Sequence, residues 1–230
     1  MIAFIQALGF DKVDLFGYSM GGRAGMLQPC LLHATSTDTF AVQTVAITQP
    51  SLVRKMIIAG GSPVQPIPTS PKDTRDTKYM MAMATAVTYE ESHEAFKHAL
   101  FGESPEGSSL FESYWKRLQD RTVEPPNLEP VPLDKGGNSQ IAAVVNADKP
   151  ENVKFPDRLA ALRMPVLVAN GSNDLTLGLV RTLDLHQRLQ NSQLVIYPNS
   201  GHGFLWQYAE LFAEQVNLFL DSSAFDEELR

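Results

Sequence analysis

Four short aliphatic runs, each closing on glycine or proline, punctuate the chain. They are Lys12-Val13-Asp14-Leu15-Phe16-Gly17, Lys55-Met56-Ile57-Ile58-Ala59-Gly60-Gly61, Pro165-Val166-Leu167-Val168-Ala169-Asn170-Gly171 and Gln193-Leu194-Val195-Ile196-Tyr197-Pro198. Polar and apolar residues hardly alternate in them, as expected of strands covered on both faces of a parallel sheet. Helical spacing fills the intervals. Ile2, Ile5 and Leu8 share one face ahead of Gly9, which suits a left-handed helix stop. Leu179 to Leu189 separates the third and fourth runs, and Tyr208 to Leu220 spaces Leu211, Phe212, Val216, Phe219 and Leu220 for burial. This order predicts an α/β fold with a mostly parallel sheet.

Between Ser62 and Leu162 the pattern changes. Proline-rich turns such as Pro63-Val64-Gln65-Pro66-Ile67-Pro68 alternate with helical stretches at 79–86, 89–100 and 110–120. The expected organisation is a core of residues 1–62 and 162–230, with residues 63–161 inserted as a helical cap. Tyr79-Met80-Met81-Ala82-Met83 reads as cap core; turned toward a site, its thioethers would suit an irregular apolar substrate.

Composition narrows the classes. Nineteen basic residues stand against 26 acidic ones, a net charge of −7, and no basic stripe is available to neutralise phosphates. Nucleic acid is not an expected partner. Cys30 is the single cysteine and cannot form an internal disulfide, and no paired Cys/His spacing of the zinc type occurs, so no metal is expected. The apolar start Met1 to Leu8 lacks a basic region and the length of a membrane span, and reads as helix. A cytoplasmic protein is the expectation; oligomeric state is open.

The candidate chemistry sits at three run ends. Gly17-Tyr18-Ser19-Met20-Gly21 has the G-x-S-x-G form of a sharp strand-to-helix elbow, in which flanking glycines remove clashing side chains. The next backbone N–H, that of Met20, would face a developing oxyanion. A serine hydroxyl needs a base and a group to orient that base. Asn170-Gly171-Ser172-Asn173-Asp174 delivers a carboxylate after the third run, and Asn199-Ser200-Gly201-His202-Gly203-Phe204 delivers an imidazole after the fourth. Taken singly, Asp174 reads as the N-cap of the following helix and His202 as a buried turn residue. Together they complete the order Ser, Asp, His.

That order and these turns resemble the α/β-hydrolase superfamily, near its esterase and haloperoxidase-like members; the segments 8–22, 52–63, 165–175 and 194–220 carry the likeness. The resemblance implies Ser19 as nucleophile, His202 as general base and then acid, Asp174 as orienting carboxylate, and Met20 N–H as one oxyanion donor. Some members place the acid after the second run, where Gly60-Gly61-Ser62-Pro63 offers no carboxylate. No cofactor is implied. Trp115 and Trp206 read as packing residues, although Trp206 follows His202 closely enough to line a pocket, whereas His93 and His98, five apart, read as surface residues.

Two departures from the family pattern stand out. Only about ten residues precede the elbow strand, so the first strands and a second oxyanion donor are expected to be missing. Residues 23–39 interrupt the helix after the elbow with Pro29 inside; Phe40 would join Gly22 smoothly without them, and they read as a retained in-frame intron. The expected function is hydrolysis of an ester, thioester or lactone of a small apolar substrate, in a secondary-metabolic setting, with perhydrolysis open on the same triad. The competing expectation is a catalytically impaired fragment or binding module that keeps the fold.

Overall fold

The computed structural model describes residues 1–19, 39–63, 77–86, 88–119 and 158–224. Four strands, β1 (Val13–Tyr18), β2 (Val53–Ala59), β3 (Val166–Gly171) and β4 (Ser192–Tyr197), pair in parallel in the order β1-β2-β3-β4. Helices α1 (Ile2–Ala7), α2 (Thr39–Thr48), α6 (Leu179–Arg188), α7 (Phe204–Gln207) and α8 (Ala209–Asp221) accompany the sheet. Gly9, at φ +76°, takes up the left-handed conformation that ends α1.

Both faces of the sheet are covered, which explains the absence of alternation in the strands. Leu15, Met56, Ile58, Val166 and Val168 pack with Val42, Val45 and Ala46 of α2 and Leu185 of α6. On the other face, Phe16, Ile57, Ala59, Leu167 and Ala169 meet Phe204, Phe212 and Phe219. Lys55 points to this second face and is buried, its Nζ donating to the carbonyls of Phe219, Leu220 and Ser222 at the end of α8. The ammonium answers carbonyls that a helix C-terminus leaves unpaired. Among the described residues β1 pairs on one side only, and Phe4, Leu8 and Phe10 are exposed.

Between β2 and β3 the described residues include the helices α3 (Thr77–Thr85), α4 (Tyr89–Phe96) and α5 (Pro105–Gln119) and a short 3-10 helix, Leu159–Ala161. Thr88 opens α4 with a capping box, its hydroxyl accepting from Glu91 N–H while the Glu91 carboxylate accepts from Thr88 N–H. The helix expected over 89–100 changes at Lys97 into a widened π-turn, Lys97–Phe101, that Gly102 ends at φ +75°. Phe96, Leu100, Phe101, Phe111, Tyr114 and Trp115 form a third apolar cluster, which Met83 and Trp206 join. Met81 is exposed, so the methionine stripe only partly belongs to this core.

Two further differences concern element boundaries. Thr39, assigned by the sequence to the interruption, is fully buried as the first residue of α2. Helix α6 starts after Gly178 rather than after Asp174, leaving Asp174 free of the N-cap role. No helix among the described residues is long and apolar enough to cross a membrane.

Candidate active site

Strand β1 ends at Ser19, which adopts φ +55°, a left-handed conformation costly for a residue with a Cβ. Backbone bonds hold it there: Ser19 N–H donates to Ala59 O at 3.0 Å, and Thr39 N–H donates to Ser19 O at 2.9 Å. The turn after β3 is tied to the turn after β4 through Ser172 N–H to Tyr197 O and Asn173 N–H to Ser200 O, both 2.9 Å. Backbone of Ser200 and Gly201 occupies the space where a Cβ on Gly171 would lie, so a glycine is needed for this approach. Asn199 turns the chain at φ +49°, and Gly201 N–H donates to the Gln207 side chain at 3.0 Å.

The three strand ends bring Ser19, Asp174 and His202 into one hydrogen-bonded line. His202 Nε2 lies 2.6 Å from Ser19 Oγ, and His202 Nδ1 lies 2.8 Å from Asp174 Oδ2. Asp174 and His202 are buried, and Asp174 Oδ1 accepts from Thr176 N–H at 2.8 Å and Leu177 N–H at 3.0 Å. Burial pushes the Asp174 carboxyl upward. The attraction of the His202 ring in its protonated form, the hydrogen bond from that ring, Leu177 N–H and the Asn170 side chain outweigh that and hold it below the ordinary carboxylate range. With Asp174 ionised, Nδ1 keeps the proton and Nε2 presents a lone pair to the serine hydroxyl.

Two residues beside the imidazole carried no role in the sequence reading. Tyr18 donates its hydroxyl to His202 O at 3.0 Å, and its ring lies 5.1 Å from the imidazole. Burial, then the Asp174 charge and Tyr114, raise the Tyr18 phenol well above its ordinary value, so it remains a donor. Gly60, at φ +55°, leaves a slot: a Cβ there would stand 2.9 Å from His202 Cε1 and 3.1 Å from Nδ1. The strand end that offers no carboxylate thus supplies room for the His202 imidazole. A tyrosine inside the elbow and a paired glycine after β2 were the available signals.

Trp206 lies edge-on to Tyr18, with ring centroids 5.2 Å apart, and reaches Tyr114 of α5, so it packs as the sequence suggested, against the third apolar cluster. His93 instead packs against Phe111 and Trp115 and contacts Glu112, while His98 contacts Glu94. Met20 and Cys30 lie outside the described residues.

Known proteins are similar to this chain in sequence and in fold. A 2-hydroxy-6-oxononadienedioate/2-hydroxy-6-oxononatrienedioate hydrolase of Dechloromonas aromatica is 25% identical over 217 residues, 94% of this chain and 64% of that protein. The chain thus spans just under two thirds of that relative's length. An alpha/beta hydrolase fold protein from Chitinophaga pinensis superposes with a TM-score of 0.73 at 27% identity, covering 96% of this chain and 69% of that one. A meta-cleavage product hydrolase from Pseudomonas fluorescens IP01 has the same fold at a TM-score of 0.66 and 15% identity, over 96% and 68% of the two chains. The model of the alpha/beta hydrolase family matches residues 1–215, and the chain belongs to that family.

Proposed function

We propose that the chain is a serine hydrolase that works by acyl transfer through Ser19. The observation that carries this reading is the continuous relay from Ser19 Oγ through His202 to a buried carboxylate. His202 Nε2 removes the hydroxyl proton as Oγ attacks the substrate carbonyl carbon. The tetrahedral adduct collapses when the resulting imidazolium returns the proton to the leaving group, and the acyl group stays on Ser19. A water then attacks with the same base, releasing the acid and restoring the serine. Asp174 remains ionised and stabilises the imidazolium rather than taking its proton. The Met20 N–H is the oxyanion donor in this reading.

The substrate class proposed first is an ester, thioester or lactone of a small apolar acid, taken up in the cytosol, where Cys30 stays a thiol. A second reading follows from the Dechloromonas relative's name. A 2-hydroxy-6-oxodienedioate contains no ester, so its hydrolysis breaks the carbon–carbon bond beside the ketone: water's hydroxyl goes to the carbonyl carbon and its proton to the released carbon of the dienoate fragment, where an ester would release an alcohol.

A fluorophosphonate probe tests the nucleophile. Labelling of the purified protein that disappears in Ser19→Ala supports the enzyme, and a folded wild-type protein that never labels supports a binding module. Parallel assays with aryl esters and a chromogenic 2-hydroxy-6-oxodienoate separate the two substrate classes.

A further inference from the structure

The glycines flanking His202 mark a close approach between the cap and the candidate base. A Cβ on Gly201 would stand 2.6 Å from the carbonyl oxygen of Leu100, and one on Gly203 would stand 2.8 Å from the same atom. Neither glycine has a positive φ, so space rather than backbone freedom requires them. Through this gap Gly203 N–H donates to Leu100 O at 2.6 Å. The neighbouring carbonyl, Ala99 O, accepts from the Thr176 hydroxyl at 3.3 Å. Thr176 is the residue whose N–H holds Asp174 Oδ1.

Ala99 and Leu100 belong to the π-turn Lys97–Phe101, which Gly102 terminates. Carbonyls in a last turn have no following helical N–H, and both residues are buried away from water. They are answered instead by the two loops that carry the acid and the base. π-turns inside helices often occur at functional sites because the wider turn re-aims such groups.

The His202–Gly203 peptide is gripped from both sides. Its N–H reaches the cap at Leu100, and its carbonyl accepts the hydroxyl of Tyr18, next to Ser19. A peptide plane fixed at both polar ends cannot tilt without losing a buried bond, and the imidazole it carries is aligned to Ser19 within 2.6 Å.

We propose that the π-turn Lys97–Phe101 is a positioning element for the reacting groups, its Leu100 and Ala99 carbonyls setting the His202 and Asp174 loops in register with Ser19. This rests on the reading of His202 as the base.

The test compares Gly203→Ala with wild type, reading the fluorophosphonate labelling rate and the downfield Nδ1 proton of His202 by NMR in the full chain. Pushing Leu100 away is expected to slow labelling about tenfold or more and to shift or broaden the Nδ1 resonance, with the far-UV circular dichroism unchanged. Thr176→Val, which keeps the volume but loses the bond to Ala99 O, is expected to do the same to a smaller degree, and Thr176→Ser to restore wild-type behaviour. If Gly203→Ala fails to fold, the Thr176 pair decides. Wild-type rates and an unmoved resonance in the folded variants overturn the proposal. If wild type itself never labels, the serine-hydrolase reading fails, and the Nδ1 resonance alone decides the positioning role: shifted in Gly203→Ala it stands, unshifted it falls.

Discussion

Tyr18 and His202, 184 positions apart, share a buried hydrogen bond from the phenol to the His202 carbonyl and a ring contact at 5.1 Å. The residue beside the candidate nucleophile therefore holds the backbone of the candidate base. Removing the hydroxyl in Tyr18→Phe leaves that carbonyl without this donor, at a cost of about 1–3 kcal/mol. A lowered urea midpoint together with a several-fold slower fluorophosphonate reaction is expected. Because the phenol's ionisation is pushed well above 10.0, labelling by wild type should show no loss from Tyr18 ionisation up to that pH.

Gly60→Ala tests the slot for the imidazole. The new methyl meets His202 Cε1 at 2.9 Å, at a backbone angle of +55° that alanine tolerates poorly. Labelling should fall roughly tenfold to a hundredfold, with a stability loss of about 1–2 kcal/mol. An unaltered labelling rate would remove Gly60 from any role at the site.

Much of this site was legible from residue types. Aliphatic runs placed the strands, and a glycine-rich turn at each strand end placed Ser19, Asp174 and His202, because buried parallel strands and tight turns restrict composition strongly. The contacts made by backbone atoms were not legible. The carbonyls of Ala99, Leu100 and His202 have no side-chain signature, and nothing in 89–100 distinguishes a π-turn from continuing helix. Lys55 shows a related limit. Its charge made it look like the margin of the second run, yet strand β2 starts at Val53, because the carbonyls ending α8 satisfy the buried ammonium.

Lys55→Met separates stability from chemistry. The methionine fills the space but leaves the carbonyls of Phe219, Leu220 and Ser222 without that donor. Charge-assisted bonds of this kind contribute about 1.5–3 kcal/mol, so a lower thermal midpoint is expected. The folded fraction should react with the probe at the wild-type rate, since Lys55 touches none of the three aligned side chains.

Asp174→Asn should slow turnover on the order of 10³–10⁴-fold, by removing the charge that fixes the imidazole tautomer. The same variant has a pH signature. Because the folded carboxyl is held below its unfolded value of 3.8, its ionised form contributes stability above that pH. That contribution is lost as pH falls through the lower folded value. The difference in urea midpoint between wild type and Asp174→Asn should therefore narrow from pH 5 toward pH 2. A difference constant over this range would show that the carboxylate gains nothing from its partners.

The bond from Thr39 N–H to Ser19 O joins residues twenty apart, yet it is the bond a helix makes between residues four apart. Deleting residues 23–38 puts Thr39 in that fourth place and carries α2 on from the elbow. Its buried face of Val42, Gln43, Val45 and Ala46 then keeps its present direction, including the Gln43 side-chain bond to Ser62 O at 2.9 Å. Removing Thr39 as well turns every later residue of the helix by about 100° relative to the elbow, which would swing that face out of the core. The shorter deletion should therefore fold with a thermal midpoint no lower than wild type and label at least as fast. The deletion of residues 23–39 should be less stable by several degrees. Equal midpoints for the two deletions, or an unfolded shorter one, would show that Thr39 does not set the register of α2.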